Sequence, residues 1–225
     1  MPLMPAFHRR KKDAAIVGRL ITGYGELELL LAICVGTALA TKRNIPDGYT
    51  EFQHRHRYEG VGIKLIFRIR GEKNRIDAAS KLMRGAFTAA NMGSEYDETM
   101  NAMRACLRIR NLFAHCHWGQ SRKRGLFFIN LEEVARKPQR LNLDSFRHAS
   151  TTTLQYLERY FWHTMEPLDY LAHELGFRAK LSLPHGLSKP RKMREPNPDT
   201  SLFPHRSPQT TRVRVRHPRK RRAAT

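Results

Sequence analysis

Apolar side chains recur at every third or fourth position through the first forty residues, which is the spacing of an amphipathic helix. Two apolar stripes run along this segment, with Ile16, Leu20, Tyr24, Leu27, Leu31 and Val35 in one and Val17, Ile21, Leu30 and Ile33 in the other. We predict one long helix from an N-cap at Asp13 to about Ala40. Because apolar residues cover most of its circumference, we expect this helix at the centre of a bundle or against a second subunit.

Two acidic residues, Glu26 and Glu28, interrupt the apolar pattern of this helix. They could form a solvated edge, or they could be partners for a buried arginine. Glutamate is rarely buried without a partner, which favours the solvated edge. If Glu28 is allowed, the apolar run from Leu27 to Ala40 covers 14 residues, whereas a membrane span needs about 20. We therefore expect a buried helix and no membrane segment.

The middle of the chain alternates between a loop pattern and helical patterns. Residues 42–60 contain Pro, Gly and a basic run that includes His54 and His56, which is typical of a loop. Residues 61–69 fit either a helix or a strand, since periodicity does not separate the two in so short a segment. A further helix is predicted over residues 77–91, where small and apolar residues share one face.

The second half of the chain begins with a Ser-x-x-acid pattern at Ser94, which resembles a capping box and predicts the start of a helix. One stripe of that helix carries Met100, Met103, Leu107, Arg110 and Ala114. Leu126 to Leu131 is the best strand candidate, and we expect it in a short hairpin. A last helix is predicted from Ser150 to about Leu175, with Gly176 as its C-terminal stop.

These elements predict an all-α fold, a helical bundle into which a small β-hairpin is inserted. The helical domain covers residues 13–175, after a basic N-terminal arm at residues 1–12. Residues 176–225 form a tail that holds 14 of the 41 Lys and Arg residues, two of the 20 acidic residues and seven of the 12 prolines. Because high charge and many prolines oppose the formation of a core, we predict that the tail is disordered.

The net charge of +21 and the pI of about 10.7 favour a polyanionic partner, most simply nucleic acid, with anionic lipid as the weaker alternative. Basic residues expected to contact nucleic acid fall between the predicted strands and in the tail: Arg122, Lys123, Arg124, Arg212, Arg214, Arg216, Arg219, Lys220, Arg221 and Arg222. Such runs attract phosphates through counterion release and do not read sequence. We expect the tail to raise affinity without specifying a site.

The three cysteines, Cys34, Cys106 and Cys116, have neither metal-ligand spacing nor the even number of a disulfide framework. Unpaired cysteines of this kind indicate a reducing compartment, so we expect a cytoplasmic protein. His54 and His56 have no third metal ligand in their segment, and a structural zinc site normally needs four. The sequence therefore predicts no metal site and no cofactor.

The residues with the clearest chemical potential lie near the end of the helix that starts around Ser94. Arg110 and Asn111 are followed by His115, with three apolar residues between them. The planar guanidinium of arginine suits a phosphate, and histidine gains or loses a proton near neutral pH. On a helix, Asn111 and His115 are one turn apart, whereas Arg110 is offset from His115 by about 140°. A symmetric dimer would relieve this offset by placing two Arg–His sets around one cleft.

This pattern, Arg110-Asn111-x-x-Ala114-His115, resembles the signature of the HEPN superfamily, Arg-x(4–6)-His with Asn directly after Arg. The direct resemblance covers about residues 100–118, and the predicted order of helices over roughly 13–175 is similar to that of the family. The resemblance implies a HEPN-like bundle that acts as a metal-independent endoribonuclease at a homodimer cleft. It also implies a toxin or phage-defence effector, with an antitoxin as a further partner.

In this interpretation His115 moves protons as general base or acid, Arg110 stabilises charge on the phosphate and Asn111 orients the site. His117 could assist proton transfer, although capping of the helix end is the favoured role for it. Glu26 and Glu28 are further auxiliary candidates. Trp118 could stack a base, but packing under the hairpin is favoured.

Two other interpretations remain open from the residues alone. Arg110, Asn111 and His115 could form a buried polar network, with Glu26 or Glu28, that only fixes helix packing. The domain could also be a non-catalytic module that binds nucleic acid or a nucleotide, with affinity supplied by the tail. An Arg–His cluster in a basic protein is evidence for a site but does not separate these alternatives.

Overall fold

The computed structural model describes residues 5–121, 125–136 and 146–196. After a 3-10 turn at Pro5–Phe7, the elements are α1 (Lys11–Thr22), α2 (Tyr24–Ala40), α3 (Glu51–Phe67), α4 (Glu72–Ala89), α5 (Gly93–Ala114), β1 (Cys116–Ser121), β2 (Gly125–Asn130), α6 (Leu131–Arg136), β3 (Arg147–Ala149) and α7 (Thr151–Arg178). The prediction of a mainly helical fold is confirmed.

The long first helix is divided into α1 and α2 at Gly23, whose backbone stays in the helical region at φ −64°. Its N-cap was predicted wrongly, because α1 begins at Lys11 and Asp13 lies inside it. Asp13 is 3% exposed, accepts a hydrogen bond of 2.7 Å from the hydroxyl of Thr151 and pairs with Arg10 at 3.1 Å. Asp13 therefore joins the start of α1 to the start of α7.

α2 is the central helix, and it packs against α3, α4 and α7. Leu27, Leu31 and Val35 have no exposed surface. The continuous pair α1–α2 is long and apolar enough to cross a membrane by length and composition, a test that buried core helices also pass. About half of its most apolar window, 56%, is buried within the fold, which agrees with the predicted core position.

Two glycines allow α2 and α3 to approach closely. A Cβ atom added to Gly62 would lie 2.2 Å from the carbonyl oxygen of Ala32, and one added to Gly36 would lie 2.4 Å from the carbonyl oxygen of Tyr58. No side chain fits at such distances, so glycine is required on both sides of the contact.

The loop predicted over residues 42–60 is wrong in its second half, because α3 begins at Glu51. Thr50 and Gln53 form a capping box, in which the Thr50 hydroxyl accepts from the Gln53 N–H and the Gln53 side chain accepts from the Thr50 N–H. His54 is buried on this helix, with Nε2 3.3 Å from the carbonyl oxygen of Ala40. Most of residues 61–69 continues α3 and is helical.

α4 and α5 form an antiparallel pair whose starts differ from the predicted ones. α4 begins at Glu72, five residues earlier than predicted, directly after Gly71 with φ +82°. The capping box predicted at Ser94 is wrong, since α5 begins at Gly93 after Met92, whose side chain makes no cap hydrogen bond. The end of α5 lies close to the prediction and places the candidate motif in its last turn.

The predicted hairpin is present and is part of a three-stranded antiparallel sheet in the order β1-β2-β3. Cys116 pairs with Asn130 and Phe128 pairs with Arg147. Trp118 packs between Phe7, Phe113 and Phe128 at ring-centroid distances of 5.0–5.4 Å, so its favoured role in packing is confirmed. The sheet thereby closes one end of the helical core.

α7 extends past the predicted stop at Gly176 and ends at Arg178. The following residues return along the bundle, where Leu181 is buried and Met193 packs against the core. Ion pairs join this segment to α5: Lys189–Glu95, Lys192–Glu98 and Arg108–Glu195. The boundary predicted at residue 176 is therefore too early. All ten predicted nucleic-acid contacts lie outside the described residues: Arg122, Lys123, Arg124, Arg212, Arg214, Arg216, Arg219, Lys220, Arg221 and Arg222.

The glycine contact between α2 and α3 predicts opposite effects of two substitutions on the same helix. Gly62→Ala should lower the free energy of unfolding by about 2–3 kcal/mol, because the new methyl group meets backbone atoms that cannot move independently. The methyl group added by Gly60→Ala would have no atom within 4 Å. This substitution should leave the free energy of unfolding unchanged or raise it by up to about 1 kcal/mol. Urea unfolding of both variants measures the difference, and equal stability would contradict the close contact.

Candidate functional site

The last turn of α5 places Arg110, Asn111 and His115 at the edge of the bundle. His115 is the C-cap residue, and its N–H donates to the carbonyl oxygen of Asn111 at 3.2 Å. The side chain of His115 is 50% exposed, whereas that of Arg110 is 26% exposed. The motif therefore combines an accessible imidazole with a partly enclosed guanidinium.

Arg110 is held by two partners. Its Nη1 donates to Oδ1 of Asn111 at 2.9 Å and lies 3.2 Å from Oε1 of Glu72. Glu72 stands in the first turn of α4, where the helix dipole favours a negative charge. The buried Nε of Arg110 has no hydrogen-bond partner among the described residues. Asn111 and Glu72 thus hold Arg110 in place, while its buried Nε stays unsatisfied.

His115 also has a carboxylate neighbour, which the sequence did not indicate. Its Nδ1 lies 3.4 Å from Oε1 of Glu132 in α6. The other oxygen of Glu132 lies 3.8 Å from Arg136, and the Glu132 side chain is 59% exposed. A carboxylate at Nδ1 favours the tautomer with a proton on that nitrogen, which leaves Nε2 unprotonated and able to accept a proton.

Arg110 and His115 each pair with a different carboxylate, Glu72 and Glu132. This agrees with the angular offset expected from their five-residue separation.

The two glutamates of α2 have opposite environments. Glu26 is exposed, so the predicted solvated edge is confirmed for this residue. Glu28 is only 5% exposed, so the same prediction is wrong for Glu28. Nη1 of Arg75 donates to Oε2 of Glu28 at 2.8 Å, while Nε of Arg75 donates to the carbonyl oxygen of Ile69 at 2.9 Å. The arginine partner of Glu28 is therefore Arg75, which is partly exposed, and not Arg110.

Tyr24 and Glu28 complete a buried polar cluster between the starts of α2 and α4 and the end of α5. Burial raises the pKa of Glu28, against the opposing charge of Arg75. Burial also raises the pKa of Tyr24, and the charge of Glu28 adds to that increase. The Tyr24 hydroxyl and Oε1 of Glu28 are both buried without a hydrogen-bond partner among the described residues. These buried groups lie on the interior side of the motif.

Sequence reasoning missed Tyr24, Glu72, Arg75 and Glu132. Tyr24 was assigned to the apolar stripe, and nothing local links Arg75 to a glutamate 47 residues earlier. Glu72 did carry a usable signal, because it follows Gly71 and opens a helix, where acidic residues are favoured.

His117 does not cap the helix end as predicted, because it is an exposed residue of β1.

Elsewhere, a cavity of about 370 Å³ lies between α5, α7 and residues 189–195, and none of the candidate residues lines it. No group of three or more His, Cys, Asp or Glu side chains suited to a metal occurs in the part of the chain that the structure describes.

The fold and site define a mainly helical protein whose motif stands at the junction of a helix and a small sheet. The chain matches no protein-family model, no curated protein and no solved structure.

The Glu28–Arg75 pair predicts a large stability effect at Arg75. Arg75→Ala should lower the free energy of unfolding by about 3 kcal/mol, since it leaves a buried carboxylate without its counter-ion. Arg104→Ala is the matched control, because Arg104 makes a more exposed ion pair of 3.7 Å with Asp77 between α4 and α5. It should cost about 0.5 kcal/mol. Equal losses in urea unfolding would contradict the assignment.

The raised pKa of Glu28 predicts a pH-dependent contribution to stability. The folded state binds this proton more tightly than the unfolded state, whose value is near 4.5, so the contribution is full below that pH. It declines as pH rises through the folded-state pKa. Glu28→Gln should therefore show a smaller loss of unfolding free energy across this interval than the wild type. Glu26→Gln, at an exposed position, should keep the wild-type slope; identical slopes in all three proteins would refute the prediction.

Proposed function

We propose that this protein is a metal-independent endoribonuclease of the HEPN type, with Arg110, Asn111 and His115 at its active site. The observation that supports this most is the end of α5, which carries both a half-exposed imidazole and an arginine that is fixed by Asn111 and Glu72. The net charge of +21 agrees with an RNA substrate.

In the proposed reaction, the 2′-hydroxyl of RNA attacks the adjacent phosphorus. Nε2 of His115 accepts the hydroxyl proton while the O2′–P bond forms and the P–O5′ bond breaks. Arg110 stabilises the charge that grows on the phosphoryl oxygens, and Asn111 keeps the guanidinium in position. The leaving 5′-oxygen takes a proton from a second His115 or from water. The products are a 2′,3′-cyclic phosphate and a 5′-hydroxyl.

The carboxylates at the site have distinct roles in this proposal. Glu132 orients His115 through Nδ1 and so keeps Nε2 available as the base. Glu72 occupies Arg110 in the free protein, and an incoming phosphate replaces it as the partner of Nη1. The ion pair of Arg110 with Glu72 is partly solvated, and a pair of Arg110 with a phosphate would be so too. Exchanging Glu72 for a phosphate therefore costs little free energy.

We propose that the active enzyme is a homodimer. Arg110 and His115 of one chain meet different neighbours, and a two-fold axis beside the end of α5 would bring both pairs to one phosphodiester. A cytoplasmic toxin or phage-defence effector, controlled by an antitoxin, is the role that the HEPN resemblance favours.

A non-catalytic nucleic-acid- or nucleotide-binding module is the second candidate. The observation that favours it is that Arg110 and His115 each already have a carboxylate partner, as residues of a structural network would. In that case, binding should survive Arg110→Ala and His115→Ala. It should collapse when the seven basic residues from Arg212 to Arg222 are replaced by glutamine in the full chain.

Cleavage of a structured RNA in EDTA tests the proposal. His115→Ala and Arg110→Ala should each reduce the cleavage rate by about 100-fold or more, since they remove proton transfer and charge stabilisation. Gel analysis of an end-labelled RNA measures the rates.

His56→Ala is the matched control, because His56 is 52% exposed and paired with Glu59 at 2.7 Å, much as His115 is paired with Glu132. It lies near the start of α3 and should retain full activity. If all three variants and the wild type leave the RNA equally intact, or cleave it equally, the catalytic proposal fails.

A further inference from the structure

The outer face of the three-stranded sheet carries side chains that the proposed active site does not use. Along β2, Leu126 and Phe128 point into the core and are almost fully buried. Because side chains alternate along a strand, Phe127 points to the opposite face. Its register partners are Gly119 on β1 and His148 on β3, which share that face.

Three rings form a cluster on this face. Phe127 meets Phe146 edge-on at a centroid distance of 5.5 Å and an angle of 84°, and it lies 6.4 Å from the ring of His148. All three side chains are partly exposed. Within the described chain, neither phenylalanine belongs to the hydrophobic core or packs against it. Packing of the bundle therefore does not explain these rings.

A glycine on the neighbouring strand makes room for the central ring. A Cβ atom at Gly119 would lie 2.3 Å from the Cε2 and Cζ atoms of Phe127. The ring therefore lies across β1 instead of standing upright on the sheet. Lying across the strand, the ring keeps part of its surface exposed.

The strands that carry the rings have no negative charge. The three strands, Cys116–Ser121, Gly125–Asn130 and Arg147–Ala149, contain no acidic residue. His117 and His148 lie on the ring-bearing face, whereas Arg147 pairs with Phe128 and lies on the other face of the sheet. An apolar protein partner would not require this absence of negative charge, whereas a phosphate backbone would favour it.

We propose that this aromatic face, defined by Phe127, Phe146 and His148, binds single-stranded RNA by base stacking. Partly exposed aromatic side chains on a sheet stack unpaired bases without reading their identity, and the net charge of +21 attracts the phosphate backbone. The face is a second binding surface, separate from the residues at the end of α5.

The position of the face connects it to the candidate active site. His117 is paired with Ile129, so it is a diagonal neighbour of Phe127 at about 7–8 Å. His115 precedes β1 by one residue. A strand of RNA stacked on the rings can therefore continue over His117 to His115. The link to cleavage rests on the proposed function, but the binding surface does not.

Binding of a fluorescent 2′-O-methyl oligoadenylate of 12 nucleotides tests this inference, because the 2′-O-methyl group prevents cleavage. Replacement of both rings, Phe127→Leu with Phe146→Leu, should weaken binding at least tenfold in fluorescence anisotropy, since it removes stacking and keeps apolar volume. Phe52→Leu is the matched control: its ring is 64% exposed on α3, and affinity should not change. An abasic oligomer should bind the wild type and the double variant equally.

Photo-crosslinking of the wild-type protein to the same oligomer provides a readout that does not depend on a variant folding. Crosslinks should map to Phe127 or Phe146. Equal oligoadenylate affinity of wild type and a folded double variant, or crosslinks confined to other regions, would overturn the inference. So would loss of self-association, instead of RNA binding, in the double variant.

A parallel cleavage assay separates this inference from the proposed function. Ring-dependent binding with no cleavage of unmodified RNA would remove the ribonuclease and keep the binding face. If cleavage depends on His115 but binding does not depend on Phe127 and Phe146, the ribonuclease proposal stands and the binding face is removed.

Discussion

The enclosure of α2 is the constraint on which the rest of this structure depends. A helix that is apolar on most sides must be covered over most of its surface, and α1, α3, α4, α5 and α7 pack around it. Gly36 and Gly62 allow the closest of these contacts. As a consequence, polar residues on the inward face near the start of α2 lie in the interior, beside the start of α4 and the end of α5, whereas Glu26 on the outward face stays exposed. Tyr24 and Glu28 occupy that position.

The buried polar cluster of Tyr24 and Glu28 determines how the residues of the candidate site are held in place. Glu28 needs Arg75 because an unpaired carboxylate would be costly at that depth, and this pair fixes the start of α4 against α2. The start of α4 then holds Glu72 against Arg110. The position of Arg110 is therefore coupled to packing, whereas His115 lies on the solvated side with Glu132.

Local sequence patterns predicted the elements whose signals are contained within a few residues. The helical class, the strand from Leu126, the packing of Trp118 and the place of the motif at the end of α5 follow from periodicity and sterics. The start of α3 was missed because Pro46 and the basic run at residues 54–57 resemble a loop. Thr50 and Gln53, however, have the three-residue spacing of a capping box. The environments of Glu28, Arg110 and His115 could not be predicted, because Arg75, Glu72 and Glu132 come from other elements.

The chemical nature of the RNA ends tests the central claim most directly. Attack by the 2′-hydroxyl with His115 as base must leave a 2′,3′-cyclic phosphate and a 5′-hydroxyl, and mass spectrometry of the fragments from a defined oligoribonucleotide identifies both. The proposed mechanism predicts these ends, and no cut at a nucleotide whose 2′-hydroxyl is replaced by hydrogen. Fragments with 5′-phosphate and 3′-hydroxyl ends, or cleavage at the 2′-deoxy position, would contradict it.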